Sequence, residues 1–268
     1  MDKNKQGVDM AKTVIFLLLF ALPALATEEP WVLTIAGNTT ALDDTELRAS
    51  APTTNYGTAN ESWFGYSGSH QSTLIFRWNT LSDSLALGSG ETYPAAEIDS
   101  ILLILTASSP CALSESLAVV TYTCRRNTWV EFDGDSGATW NAYNSLGTAW
   151  GTAGAKNTTS DRYSDATTSR KLRSANTQPG AVDTFYINPT NFGSSYESTI
   201  LEYTDQWGAS PLVGFYLSEI TSVYAPYQPV LKVYGSPAAE EGGIVSYSHG
   251  PGGNAPAHGP DGNRQAHK

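Results

Sequence analysis

Asp44-Thr45-Glu46-Leu47-Arg48, Pro52-Thr53-Thr54-Asn55-Tyr56-Gly57 and Leu74-Ile75-Phe76-Arg77-Trp78 are followed, further on, by Trp129-Val130-Glu131, Thr139-Trp140-Asn141 and Trp150. Within residues 72–78, Thr73, Ile75 and Arg77 fall on one face, and Leu74, Phe76 and Trp78 on the other. That period of two marks a β-strand. The Pro, Asn and Gly of residues 52–57 mark a turn before it. Strand and turn alternate in this way through most of the chain, which decides for an all-β fold.

Working outward, β-patterned segments recur at residues 31–35, 46–49, 62–66, 72–78, 98–105, 118–123, 184–187, 212–217 and 230–234. Clusters of Gly, Asn, Ser and Pro separate them. Residues 98–105 are the most apolar and are expected to form a central strand with both faces covered. Residues 118–123 are expected beside it. One helix is expected: Ser194-Ser195-Tyr196-Glu197 offers a capping box. Tyr196, Ile200, Tyr203 and Trp207 then share a face, and Gly208 stops it. Residues 155–181 are polar and read as a long surface loop or an elaborated edge. The sum is one domain over residues 27–235, a mostly antiparallel β-sandwich with one short helix across it.

The N-terminus reads as a signal peptide over residues 1–26. Lys3, Lys5 and Lys12 precede the apolar run 14–22, and Ala24-Leu25-Ala26 is a small-x-small cleavage site. Met10 is an alternative start. A transmembrane anchor is the competing reading, but the run is far shorter than the roughly 20 residues a span needs. Cleavage would leave a chain that does not insert into membranes, secreted to the extracellular space or the cell surface. Residues 236–268 turn to Gly, Pro, Ala and Ser, with His249, His258 and His267 nine apart. Such a composition buries too little apolar surface to offset chain entropy, so a disordered, flexible tail is expected. A transition-metal-binding tail is the alternative.

The formal charge is −11, with 15 Lys plus Arg among 268 residues. That balance excludes ordinary nucleic-acid binding. Cys111 and Cys124 are the two cysteines. In an exported chain the pair suggests one disulfide, with two separately buried thiols as the alternative.

The quoted pieces, taken in order, resemble the DNRLRE, or disaggregatase-related, domain family. The likeness runs from about Thr45 to Tyr234. It includes the Pro52 to Gly57 turn, the strand carrying Arg77, and a strand like residues 98–105. The block Trp129, Glu131, Thr139, Trp140, Asn141, Trp150 and Gly154 follows, and the closing strand runs from Pro229 to Tyr234. The resemblance implies a jelly-roll-like β-sandwich without catalytic activity of its own. It also implies similarity to carbohydrate-binding modules, alginate binders among them.

Trp129, Trp140, Tyr143 and Trp150 lie within 22 positions of a loop-rich segment. Flat aromatic rings can stack on sugar rings, or they can lock the loop to the sandwich. Arg125, Arg126 and Arg77 suit a uronate or sulfate, or ordinary salt bridges. Glu131, Asp133 and Asp135 form a short acidic loop whose hard oxygens make Ca2+ the candidate ligand, although the spacing is not that of an EF-hand. Asp43-Asp44 and Asp161 with Asp165 are further oxygen donors that read first as turn residues. No cofactor is otherwise indicated. His70 is the one histidine before the tail, and no nucleophile elbow or metal-spaced motif is present, so no enzyme is expected. The expectation is a secreted, non-catalytic carbohydrate-binding module for an extracellular polysaccharide, an acidic one included. The alternative is a structural or adhesive surface or virion protein whose sandwich self-associates.

Overall fold

A computed structural model of the chain describes residues 31–79, 81, 98–110, 117–132, 137–144, 146–172, 178–191, 197–204 and 212–236. The signal segment, the tail beyond residue 236, Cys111, Asp133 and Asp135 lie outside the described residues.

Eleven strands run through the described residues: β1 Trp31–Ala36, β2 Leu42–Arg48, β3 Glu61–Ser67, β4 His70–Trp78, β5 Ile98–Ser109, β6 Leu117–Thr123, β7 Thr167–Leu172, β8 Val182–Ile187, β9 Ser198–Tyr203, β10 Leu212–Tyr216 and β11 Val230–Gly235. Their order is β1-β11-β5-β10-β3-β4-β9-β6-β7, with β2 added to β4 and β8 to β5. Every pairing is antiparallel. The fold is therefore all-β and sandwich-like, a sheet curled on itself. Register shifts at Val119/Val120, Gly214/Phe215 and Tyr234/Gly235 supply local bends, because an extra residue on one strand increases twist.

β5 is central, as its apolar sequence predicts. Residues 101–104 pair with both β11 and β8, so both its edges are filled. One face is buried through Ile101, Leu103 and Leu105, whereas Leu102 and Ile104 on the other are only half-buried. β6 is not its neighbour. It pairs with β7 and β9 in the other half of the sheet, because strand adjacency depends on long-range pairing that a single segment does not encode. The polar stretch after residue 155 contributes β7, which pairs with β6 alone and ends the order, an elaborated edge.

The expected helix is replaced by β9. Ser198–Tyr203 pairs with β4 through Leu74↔Leu201 and Ile75↔Ile200, and with β6 on its other side. All six residues are buried. Ile200 faces one apolar cluster while Leu201 and Tyr203 face another. Burial on both sides leaves no polar face for a helix to expose, and β-branched Thr199 and Ile200 fit the pleat. Tyr196 and Trp207, the ends of the expected helical face, lie outside the described residues.

The main core lies inside the curl. Phe64, Phe76, Trp78, Phe185 and Phe215 are fully buried there. Phe185 and Phe215 meet edge-on at 6.0 Å and 87°, and Phe64 and Tyr203 at 6.3 Å and 78°, the geometry favoured by ring quadrupoles. The β3–β4 hairpin closes on Gly68-Ser69, with Gly68 at φ 59, a conformation that costs glycine little.

At the seam beside β2, carboxylates take the place of a strand partner. Glu46 Oε2 accepts the Trp63 N–H at 3.0 Å, and Asp44 Oδ2 accepts the Ser218 N–H at 2.9 Å. The β2–β4 register puts Asp44 and Glu46 on the face shared by Phe76 and Leu74. Asp44 is thus a buried strand residue rather than the turn residue expected.

Candidate functional site

The outer face of β2, β4 and β9 is apolar: Leu47, Ile75 and Ile200 project from it. The described residues between 124 and 163 fold over this face as a cap. Trp129 is fully buried and its indole N–H donates to Ser198 Oγ at 3.1 Å. Trp150 is buried and donates to Thr139 O at 2.9 Å. Backbone bonds lace the cap: Val130 N to Tyr143 O at 3.0 Å, Trp150 N to Asn141 O at 3.1 Å, and Asn141 N to Pro52 O at 3.1 Å.

The motif pieces separated in sequence meet in this cap. Arg77 pairs with Asp43 and donates to Asn127 O at 2.8 Å and Trp129 O at 2.5 Å. Asn55 Nδ2 donates to Glu131 O at 2.6 Å and to Ala138 O at 2.8 Å. A Cβ at Gly57 or Gly137 would come within 2.3 Å of Glu131 O, so both positions need glycine for close backbone approach. At Gly154, φ is 77 and a Cβ would stand 2.7 Å from the Trp140 ring. The residues that carry the family resemblance therefore clamp a loop block onto a sheet.

Asp161 organises the far half of the cap. Its buried carboxylate accepts the Gly151, Thr152 and Asn157 N–H groups at 2.8, 3.0 and 3.1 Å, the Ser160 hydroxyl at 3.0 Å and Arg126 Nε at 3.0 Å. Burial alone would raise its pKa. The backbone donors, together with Arg126, outweigh that and hold it below the usual carboxylate value. Glu46, with Arg48 and His70, and Glu202, with Lys156 and Arg162, are likewise held low against burial. A depressed folded-state pKa contributes stability above the unfolded value, and that stability is lost as pH falls through the folded one. The stability gap between wild type and Asp161→Asn is therefore expected to narrow as pH drops below the ordinary Asp value of 3.8. Urea melts across an acid pH series check this.

A second acidic cluster has a different character. Asp44, Glu131 and Glu219 place carboxylate oxygens within 4.8 Å of one another. Glu131 Oε1 accepts the Asp44 N–H at 2.5 Å, and the Ser218 hydroxyl donates to Glu219 Oε1 at 3.0 Å. Asp44 Oδ1 and Glu219 Oε2 are buried and meet no donor. Burial pushes all three pKa values up, and neighbouring carboxylates add to it at Asp44 and Glu131, the latter reaching about 8. Glu131 was legible as a metal candidate. Glu219, 88 positions later in the chain, carried no sequence signal.

A cluster of aromatic rings at the surface lies elsewhere. Tyr216 on β10 and Tyr224 and Tyr227 on a 3-10 turn, Ser222–Tyr227, form a triangle of rings with centroids 5.4, 6.0 and 6.2 Å apart. Tyr216 and Tyr227 are within 14° of parallel. Tyr224 is 51% exposed and Tyr227 38%. Trp63 on neighbouring β3 is 41% exposed. Register places it opposite Gly214, on the same face as Tyr216, which stands opposite Glu61. The Tyr-Ala-Pro-Tyr sequence of this turn, aromatic rings around a proline, is the sequence signal for this face.

Of the expected sugar-stacking residues, Trp129 and Trp150 have their ring faces packed in the cap. Trp140 and Tyr143 are half-buried: Lys156 Nζ lies 5.3 Å from the Trp140 ring centre, and Arg126 sits 4.3 Å from that of Tyr143. Arg77 and Arg126 are committed to Asp43 and Asp161. Arg125 is exposed and lies over Tyr163 at 3.8 Å. Cys124 is a free buried thiol whose pKa burial pushes up to about 12; its expected disulfide partner lies outside the described residues. His70 sits 3.1 Å from Trp63 O and 3.2 Å from Glu46 Oε1, a bracing position at the seam. Among the described residues no helix is long and apolar enough to cross a membrane. No protein-family model matches the chain, and no curated protein compared with it matches either.

Proposed function

We propose that this is a secreted, non-catalytic carbohydrate-binding protein that holds an extracellular polysaccharide on the face formed by Trp63, Tyr216, Tyr224 and Tyr227. Three exposed aromatic side chains, Trp63, Tyr224 and Tyr227, gathered on one face with the half-buried Tyr216 carry the reading. A folded surface that leaves Tyr224, Tyr227 and Trp63 exposed, with Tyr216 stacked beside the two tyrosines, keeps apolar area available for a flat, partly apolar partner. Sugar rings offer that, with C–H faces for stacking and hydroxyls for the phenols. Neutral glycans fit better than acidic ones, since Glu61 borders the face and the chain carries a net charge of −11. The same reading takes the sandwich-like fold as jelly-roll-like and the chain as a relative of the DNRLRE family, on the order of its motif pieces.

Tyr224→Ala with Tyr227→Ala is expected to weaken glycan binding by about 2 kcal/mol, roughly thirtyfold, with the melting temperature unchanged. A glycan array followed by titration of the hit with wild type and variant measures it. A blank array accompanied by concentration-dependent assembly would replace this reading with that of a self-associating structural or adhesive protein.

A further inference from the structure

We propose that Asp44, Glu131 and Glu219 form a Ca2+ site that ties β2, the cap and the β10–β11 loop together. The three carboxylates come from three separate segments and converge to within 4.8 Å. Ligands on opposite sides of Ca2+ lie about 4.6–5.2 Å apart, twice the ~2.3–2.6 Å bond. The spacing therefore fits that ion. All three donors are hard oxygens, which disfavours zinc or copper.

A second observation points independently to a cation. Asp44 is completely buried, its Oδ2 takes the Ser218 N–H, and its Oδ1 meets no donor although the carboxyl is held against the other two. Glu219 Oε2 is also without one. A buried charged oxygen left unpaired is costly. Elsewhere this protein avoids that cost with cations: Glu46 has Arg48, Asp161 has Arg126, and Glu202 has Arg162 and Lys156. The Asp44 cluster gathers three acids, and no Lys or Arg ion pair is made to any of them among the described residues. A divalent cation supplies the missing positive charge, with water completing its shell. Gly57, Gly137 and Asn55 fix the Glu131 backbone, so this ligand is preorganised before the ion arrives. The inference stands whatever the tyrosine face binds.

Calorimetric titration of the full chain, stripped with chelator, with CaCl2 and separately with MgCl2 tests it, together with thermal melts. One Ca2+ per chain should bind, in preference to Mg2+, and the melting temperature should rise with Ca2+ concentration and fall again on chelation. Glu219→Gln and Glu131→Gln should each lower Ca2+ affinity at least about tenfold, because charge count sets affinity at oxygen sites. Glu61→Gln, outside the cluster, should leave it unchanged. No heat and no melting shift up to about 10 mM Ca2+, beyond the weakest extracellular sites, would overturn the proposal and leave a proton-sharing cluster. Binding indifferent to Glu219→Gln would overturn it too, by placing the ion elsewhere. The wild-type melts carry the test if a variant fails to fold.

Discussion

Trp129→Ala should destabilise the protein by about 3–5 kcal/mol, the cost of truncating a large buried aromatic and leaving its cavity. Trp129 has no exposed surface, and it packs in the cluster with Leu47, Ile75, Trp150 and Ile200. It also bridges cap and sheet, through its indole N–H to Ser198 Oγ and its carbonyl to Arg77. Its loss removes apolar filling and takes the indole donor away from Ser198 Oγ, while the backbone carbonyl that Arg77 binds stays. Urea unfolding followed by circular dichroism gives the number. A loss below about 1 kcal/mol would mean that the cap is not cooperative with the sandwich. The glycan binding proposed for the tyrosine face should survive in the folded fraction, since Trp129 is absent from that face.

Asp161→Ala is expected to cost at least about 3 kcal/mol. A methyl group leaves the Gly151, Thr152 and Asn157 N–H groups, the Ser160 hydroxyl and Arg126 without their acceptor. A buried donor without a partner costs roughly 1–3 kcal/mol, and hydration of the loosened loop offsets part of the sum. Asp165→Ala is the control. Its carboxylate accepts from Thr123 N and Asn191 on a half-buried site, so its loss should be clearly smaller. Equal losses for the two would show that the Asp161 network does not organise the cap.

Trp129 and Asp161 belong to the same cap. Trp129, Trp140 and Trp150 are conspicuous in the sequence, and the choice between glycan platform and structural lock was open there. Burial depends on what lies beneath a segment. The apolar outer face of Leu47, Ile75 and Ile200 comes from three strands far apart in the chain, and it takes the tryptophans. The tyrosines of the β10–β11 loop show the reverse. No strand alternation marks them in the sequence, yet Tyr224 and Tyr227 are left exposed while Phe64 and Phe215 are buried in the core.

The sequence by itself determined the all-β class, most of the strands, the alternation of faces in β4 and the central place of β5. These rest on the period of two, which is local and independent of partners. Only the tertiary structure decided the rest. Residues 198–203 carry apolar side chains that fit a helical face or a strand buried on both sides. Pairing to β4 and β6 selected the strand, because only two apolar layers enclosing it could bury both faces. The Asp44, Glu131 and Glu219 cluster belongs to the same class. Its members are separated by 87 and 88 positions, and such proximity arises from the closing of the sheet, not from any local pattern.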